Sequence, residues 1–305
     1  MSRYHDRRRA LPWHAPKGAE DDADAPARVR EILASPGYTQ ADRDPDFLNR
    51  DETRGVRLQI DYLKAELLLQ QHDIRHTIVV FGSTRIPEPA AARRELEAAR
   101  AALAARPADP ALRQQAARAE RIAAKSHYSD IAREFGRLVG RAGESAGDGR
   151  VVVMTGGGPG IMEAANRGAR DVGAKTVGLN ISLPHEQYPN PYVTPDLCFS
   201  FHYFAMRKLH FLLRARALVA FPGGYGTLDE LFETLTLVQT RKIARVPVVL
   251  VGEAYWRRLF DIDFMVAEGA VEEEDRELFW YAESAGEAWD GILRWHRDSG
   301  QPLLR

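Results

Sequence analysis

The residues best suited to chemistry lie in two glycine-rich turns, each placed between an apolar run and a helical pattern. The first reads Gly-Gly-Gly-Pro-Gly over 156–160 and follows the apolar run 151–155. The second reads Phe-Pro-Gly-Gly-Tyr-Gly-Thr-Leu-Asp-Glu over 221–230 and follows the run 217–221. Glycines let a ligand approach bare backbone N–H groups, and the start of the next helix offers unpaired donors and the positive end of its dipole. The pattern therefore predicts turns that bind phosphate.

Neither turn carries the spacing of the common nucleotide motifs. The first lacks the G-x-G-x-x-G pattern of a dinucleotide fold and the G-K-[S/T] ending of a P-loop, so NAD binding and ATP hydrolysis gain little support. The alternative is that the glycines only close a tight connection between strand and helix.

Several polar residues near the turns have both a structural and a functional interpretation. Thr227 and Glu230 form the Thr-x-x-Glu pattern of a helix capping box, yet a glutamate there also points to the ligand edge of a sheet. Arg207 lies among apolar residues, either as a surface cation or as the partner of a carboxylate. Ser83 and Thr84 either donate to a phosphate or cap the segment after them.

The composition argues against other classes of function. A formal net charge of -1 over 305 residues gives no overall attraction for a nucleic acid polymer. The single cysteine, Cys198, excludes an internal disulfide and a cysteine-rich metal site, and His72 and His76 lack the H-E-x-x-H pattern. No apolar run approaches membrane-spanning length and no signal core is evident. We expect a soluble cytoplasmic protein without metal, cofactor or membrane partner.

Apolar runs alternate with helical patterns from residue 75 onward. This alternation predicts an α/β fold, a Rossmann-like doubly wound parallel sheet with helices on both faces. The glycine turns then lie at the carboxyl ends of the strands, where such sheets bind ligands. The predicted strands are 76–81, 151–155, 176–181, 197–201, 217–221, 246–251 and 278–281; helices are expected after both turns and over 128–139, 204–213, 255–268 and 285–295.

Three segments surround or interrupt this predicted core. Residues 1–50 are rich in Arg, Asp, Pro and Ala and indicate a mobile or loosely packed tail. Residues 51–74 form an amphipathic helix for the main domain or a partner subunit, with an apolar face of Val56, Ile60, Leu63 and Leu67. The domain proper is 75–305, with an inserted hairpin of two alanine-rich helices at 90–125.

The motifs taken in order resemble the Lonely Guy (LOG) family. Residues 222–230, Pro-Gly-Gly-Tyr-Gly-Thr-Leu-Asp-Glu, match its P-G-G-x-G-T-x-x-E signature, and 156–162 resemble its G-G-G-x-x-G-x-M turn. Arg207 and Lys208 match the end of its M-x-x-R-K element, and 81–85 is similar to the F-G-S-A-R turn of longer bacterial members.

The resemblance covers roughly residues 75–270 and implies a nucleoside 5′-monophosphate N-glycosidase. It would hydrolyse AMP or a cytokinin riboside monophosphate to a free base and ribose 5-phosphate. The resemblance implies that Arg207 and Glu230 are the catalytic pair and that the protein is a homodimer or a higher homo-oligomer. The substrate and phosphate-binding positions that it implies are Gly82, Ser83, Gly157, Gly158, Gly160, Met162, Gly223, Gly224, Gly226 and Thr227.

The same fold resembles molybdenum-cofactor carrier proteins, so a carrier that binds a nucleotide or cofactor without cleaving it is the alternative. A lysine decarboxylase label is sometimes attached to such sequences. We find no pyridoxal-phosphate signature to support it, since the lysines near the motifs lack a Schiff-base context. These lysines are Lys175, Lys208 and Lys242.

Overall fold

The computed structural model describes residues 15–145, 150–183 and 188–304. The chain divides into two compact units, Met1–Gln59 and Ile60–Arg305, and the division falls inside the long helix α3, Arg54–Gln71. Before α3, the first unit contains helices α1, Ala25–Ala34, and α2, Pro45–Leu48.

The first unit buries very little of its described surface. Between residues 15 and 59 only Ala25 and Thr53 are buried. The Thr53 hydroxyl donates to the carbonyl oxygens of Leu48 and Arg50 at 2.9 and 2.8 Å, which closes the turn before α3. The segment predicted as a tail over 1–50 thus contains short helices in its described part, and the helix predicted over 51–74 is α3.

The second unit is a parallel sheet of seven strands in the order β4-β3-β2-β1-β5-β6-β7, which confirms the predicted doubly wound fold. The strands are β1 Ile74–Phe81, β2 Arg150–Thr155, β3 Thr176–Ile181, β4 Cys198–Phe201, β5 Ala215–Ala220, β6 Val248–Val251 and β7 Trp280–Ala282. The last strand begins two residues later than predicted, because Leu278 closes a 3-10 turn, Glu273–Leu278.

Helices cover both faces of the sheet. Their bounds are α4 Pro89–Ala105, α5 Pro110–Lys125, α6 His127–Ser145, α7 Ile161–Asp171, α8 Phe204–Leu213, α9 Tyr225–Gln239, α10 Glu253–Leu259, α11 Ile262–Ala267 and α12 Ala285–Asp298. The single helix predicted over 255–268 is wrong: Phe260 is extended, and the Asp261 carboxylate accepts from Asp263 N–H at 2.9 Å to begin α11 afresh.

Side chains of the central strands β1, β2, β5 and β6 alternate between two hydrophobic cores, as a strand buried on both faces requires. In β1, Ile78 and Val80 pack with α6, α7 and α12, whereas Val79 and Phe81 pack with α8, α9 and α10. This alternation explains why these four strands appear in the sequence as continuous apolar runs.

The inserted hairpin of α4 and α5 follows β1 and precedes α6. Its buried residues are small: Ala92 and Ala99 in α4, and Ala116 in α5. Arg100 Nη2 donates to Glu120 Oε1 at 2.6 Å between the two helices. Among the helices that the structure describes, none is long and apolar enough to cross a membrane.

The order of strands reverses at β1, which pairs with β2 on one side and with β5 on the other. Ligands of open α/β sheets bind in the crevice at such a reversal, outside the carboxyl ends of the strands. Hydrogen bonding between β1 and β5 continues into the turns that follow them. Phe221 N–H donates to Phe81 O at 2.8 Å, and Ser83 N–H donates to Pro222 O at 3.0 Å.

Candidate active site

A cleft of about 860 Å³ lies at the carboxyl ends of β1 and β5. Its walls come from the turn after β1, the glycine turn after β5 with the start of α9, and residues of α5, α8 and α10. The fold therefore brings to one place segments that are more than a hundred residues apart in the chain.

The glycine turn after β5 delivers the start of α9 to this cleft. Gly224 is the N-cap, and the Leu228 N–H donates to its carbonyl at 3.0 Å. The N–H groups of Tyr225, Gly226 and Thr227 therefore have no partner within the helix, and all three residues line the cleft. This is the geometry that binds a phosphate or carboxylate at a helix start.

The capping-box interpretation of Thr227 and Glu230 is wrong. Since Gly224 is the N-cap and no side chain caps α9, Thr227 is the third residue of the helix and Glu230 lies in its second turn. Thr227 is packed against the turn instead, because a β-carbon on Gly223 would be 2.1 Å from its Oγ1. Tyr255 of α10 holds the same turn by donating from Oη to Gly223 O at 2.6 Å.

The turn after β1 packs against the glycine turn after β2. Ile161 N–H donates to Ser83 O at 3.2 Å, and a β-carbon on Gly160, at φ 73°, would be 2.4 Å from the same oxygen. Gly82 and Ser83 line the cleft. The Ser83 hydroxyl accepts from Arg85 N–H at 3.0 Å, which is the local capping role left open by the sequence.

Buried polar contacts hold the remaining glycines of the turn after β2. Gly157 N–H donates to Thr155 Oγ1 at 2.9 Å, and Asn190 Nδ2 donates to Gly158 O at 3.0 Å. A β-carbon on Gly157, at φ 72°, would be 2.0 Å from the Asn180 Oδ1. The positive φ and this close approach make Gly157 necessary to the shape of the turn.

Most of the predicted binding positions lie in the cleft, but three do not. The lining includes Gly82, Ser83, Met162, Gly223, Gly224, Gly226 and Thr227. Gly157, Gly158 and Gly160 lie outside it, so a phosphate contact by these three glycines stays a prediction.

Arg207 enters the cleft from the first turn of α8. Its Nε donates to Leu179 O at 2.7 Å, and its guanidinium carbon lies 5.3 Å from the centre of the Phe211 ring. Burial lowers the pKa of Arg207, against the opposing attraction of Glu230 and Asp229. A guanidinium remains protonated even so, because its ordinary pKa lies far above neutral pH.

Glu230 faces the same cleft from α9 and is only 6% exposed. Burial raises the pKa of Glu230 to about 7, although the positive charges of Lys208 and Arg207 oppose the rise. A carboxyl group with a pKa near 7 is present in both its charged and its neutral form at neutral pH. Such a group is suited to general acid or base catalysis.

Lys208 connects the helices that carry these two residues. Its Nζ lies 2.9 Å from Asp229 Oδ1 and 3.0 Å from Glu233 Oε2, both on α9. The salt bridges hold α8 against α9 and so fix Arg207 relative to Glu230. This role of Lys208 was not evident in the sequence, because the positions of the carboxylates depend on how α8 and α9 pack.

Further lining residues were not identified from the sequence. Arg118, Arg121 and Lys125 of α5 line the cleft, as does Tyr255 of α10. The three basic residues recur at spacings of three and four, which places them on one face of a helix, and this spacing was the available signal. Among the described residues, no group of three or more His, Cys, Asp or Glu is placed to hold a metal ion.

Comparison with known proteins relates the chain to a family of enzymes. The sequence model of the family described as "Possible lysine decarboxylase" matches residues 162–292. The chain is 32% identical over 167 residues to cytokinin riboside 5'-monophosphate phosphoribohydrolase LOG of Oryza sativa subsp. japonica. That match covers 53% of this chain and 65% of the rice protein, so the chain spans less than two thirds of the rice protein's length.

A second relative and one solved structure match this chain over a larger share of their own length. A solved molybdenum cofactor carrier protein from Chlamydomonas reinhardtii is 20% identical, covers 73% of this chain and 99% of its own, and has a TM-score of 0.42. Cytokinin riboside 5'-monophosphate phosphoribohydrolase LOG3 of Arabidopsis thaliana is 31% identical over 168 residues, which cover 53% of this chain and 73% of the relative. The chain therefore belongs to the LOG family, as its glycine motifs predict.

Proposed function

We propose that this protein hydrolyses the N-glycosidic bond of a nucleoside 5′-monophosphate and releases a free base and ribose 5-phosphate. AMP or a cytokinin riboside monophosphate is the proposed substrate. The observation that carries the proposal is that Arg207 and the buried Glu230 line one cleft, at the start of α9. The names of the rice and Arabidopsis relatives support the same reaction class.

The 5′-phosphate is proposed to bind at the start of α9. The free N–H groups of Tyr225, Gly226 and Thr227 and the helix dipole both favour an anion at this point. The flanking glycines, Gly223 and Gly224, keep side chains out of its path. The ribose then extends from the phosphate toward the second turn of α9, where Glu230 lies.

Cleavage of the bond builds positive charge on the ribose ring, as in glycoside hydrolysis. The Glu230 carboxylate stabilises that charge and accepts a proton from the attacking water. Its pKa of about 7 leaves enough carboxylate at neutral pH and makes it a strong enough base. Both steps need the charged form of Glu230.

Arg207 is proposed to anchor the substrate and to orient the carboxylate. Since Leu179 O occupies its Nε–H, the guanidinium keeps a fixed direction and offers its remaining N–H donors to the phosphate, the ribose or the leaving base. The fixed direction limits the entropy lost on binding.

Incubation with AMP, followed by chromatography, tests the proposal through release of adenine. Glu230→Gln and Arg207→Ala should lose the activity and keep the fold. Matched controls, Glu268→Gln and Arg258→Ala, remove the same groups at exposed positions outside the cleft and should remain active. Full activity in both cleft variants would overturn the assigned roles.

The alternative of a carrier predicts a different result in the same assay. A carrier would bind a nucleotide tightly in calorimetry and release no base over hours. A panel of nucleoside monophosphates in both measurements separates the two functions and identifies the preferred base. We also propose that the protein acts in the cytoplasm, since its one cysteine is compatible with a reducing compartment.

A further inference from the structure

The cleft carries more positive charge than one phosphate requires. Five cationic side chains and two carboxylates line it. The cations are Arg85, Arg118, Arg121, Lys125 and Arg207; the carboxylates are Asp229 and Glu230. Three of the five cations belong to α5, in the inserted hairpin, and not to the elements at the carboxyl ends of the strands.

The three cations of α5 form a stripe along the face that the helix turns to the cleft. Arg118, Arg121 and Lys125 recur every three or four residues, with Ile122 between them on the same wall. Within the part of the chain that the structure describes, none of the three forms a salt bridge with a carboxylate. Lys125 Nζ donates only to Arg121 O of its own helix, at 3.2 Å.

The carboxylates of the cleft do not neutralise this stripe. Asp229 is already paired with Lys208, at 2.9 Å. Glu230 follows Asp229 in the second turn of α9, is buried, and has a pKa of about 7. The stripe therefore faces the cleft with its charge uncompensated.

A single phosphate carries a charge of about −1.5 to −2 at neutral pH. The start of α9 and the cations closest to it are sufficient to bind this charge. Arg118 and Arg121 are exposed and Lys125 is partly exposed, so the stripe is available to a second phosphate. We propose that α5 adds a second anion subsite to the cleft, which binds the outer phosphate of a nucleoside 5′-diphosphate. The proposal rests on the nucleotide-binding cleft of the proposed function and extends its substrate class.

The size of the cleft allows this ligand. At about 860 Å³ it lies in the upper part of the range of about 300–1,000 Å³ that small-molecule sites occupy. The hairpin that carries the subsite is packed through alanines, so α5 lies close to its neighbours and its long basic side chains extend from that surface.

Calorimetry with AMP and ADP tests the subsite in a Glu230→Gln background, which keeps the ligands intact. We expect ADP to bind at least about tenfold more tightly than AMP, because a hydrogen bond to a charged group is worth a factor of ten or more. The further change Arg118→Gln, Arg121→Gln and Lys125→Gln should abolish this preference and alter the affinity for AMP much less.

A control removes the same charge from the same hairpin outside the cleft: Arg93→Gln, Arg94→Gln and Arg113→Gln, three exposed residues. This variant should keep the preference for ADP, and circular dichroism should show both triple variants folded. Equal affinities for AMP and ADP in the parent, or an unchanged preference in the cleft-facing variant, would overturn the proposal. Failure of the parent to release adenine from AMP, with the preference for ADP intact, would overturn only the proposed reaction.

Discussion

The guanidinium of Arg207 lies against the backbone of Gly156, so close that a β-carbon on this glycine would be 2.6 Å from Nη2. On its other side, Arg207 Nε donates to Leu179 O at 2.7 Å. Gly156 follows β2 and Leu179 belongs to β3, so two neighbouring strands fix the direction of one side chain. The first glycine of this turn thus provides the space that the arginine occupies.

Gly156→Ala is expected to reduce base release by about 100-fold with little loss of stability, since a shift of about 1 Å in a positioning group has an effect of that size. The added methyl group meets the flexible end of Arg207 and the Met162 Sδ, at 3.0 Å, which can move without disturbing the backbone. Steady-state kinetics and thermal unfolding measure the two effects. The control is Gly286→Ala, whose new methyl group would have no atom closer than 4.0 Å. Unchanged kinetics in Gly156→Ala would show that Arg207 does not need this space.

The sheet could be predicted from the sequence because parallel strands buried on both faces are continuous apolar runs. All seven predicted runs are strands, and they form one parallel, doubly wound sheet. Helix starts that depend on local polar contacts were harder to predict from the sequence. Hydrophobic periodicity alone predicted one helix over 255–268, but Asp261 begins a second helix within that range. The sequence pattern placed Thr227 at the N-cap of α9, whereas Gly224 occupies that position.

The motif order indicated the candidate pair, but the sequence did not reveal the burial that raises the pKa of Glu230. The burial of Glu230 depends on α8 and α9 packing together, and these helices are separated by β5 and a glycine turn. The basic stripe of α5 could be read as a helix face. Its direction toward the cleft depends on where the hairpin packs, which its alanines do not specify.

The rate of base release is expected to rise with pH around a midpoint of about 7, because the reaction needs Glu230 charged and burial sets its pKa there. Lys208→Met should move this midpoint to higher pH, since the positive charge of Lys208 lowers the pKa of Glu230. Profiles of kcat/KM with AMP measure both midpoints. Titration of the substrate phosphate would give the same midpoint in both proteins, and that result would contradict the assignment to Glu230.

Glu230→Gln is expected to stabilise the fold at alkaline pH. The pKa of Glu230 is raised by burial from 4.5 to about 7, so the folded state binds more protons than the unfolded state between these values. The stability from this group is therefore complete below about pH 4.5 and is lost as the pH rises through about 7, a loss of about 3 kcal/mol in the free energy of unfolding. The glutamine, which stays neutral, avoids the loss.

Urea unfolding near pH 8 and near pH 5 measures this difference, with the variant expected to be the more stable at the higher pH and the two proteins to converge at the lower. Glu97→Gln, at an exposed position of α4, should change the free energy of unfolding by less than about 0.5 kcal/mol at both values. A parent that is as stable as Glu230→Gln near pH 8 would show that the buried carboxylate carries no such cost.

The exposed apolar side chains of α3 predict the assembly of two copies of the chain. Ile60, Leu63 and Leu67 are 52%, 38% and 52% exposed, and Leu213 of the adjacent α8 is 47% exposed. Leu63→Glu with Leu67→Glu should halve the mass in size-exclusion chromatography with light scattering, because charges would have to be buried in the dimer. Lys64→Glu, on the same helix at an exposed position, should leave the mass unchanged. A parent protein that is already monomeric, or a double variant that keeps the parent's mass, would rule out this face as the subunit contact.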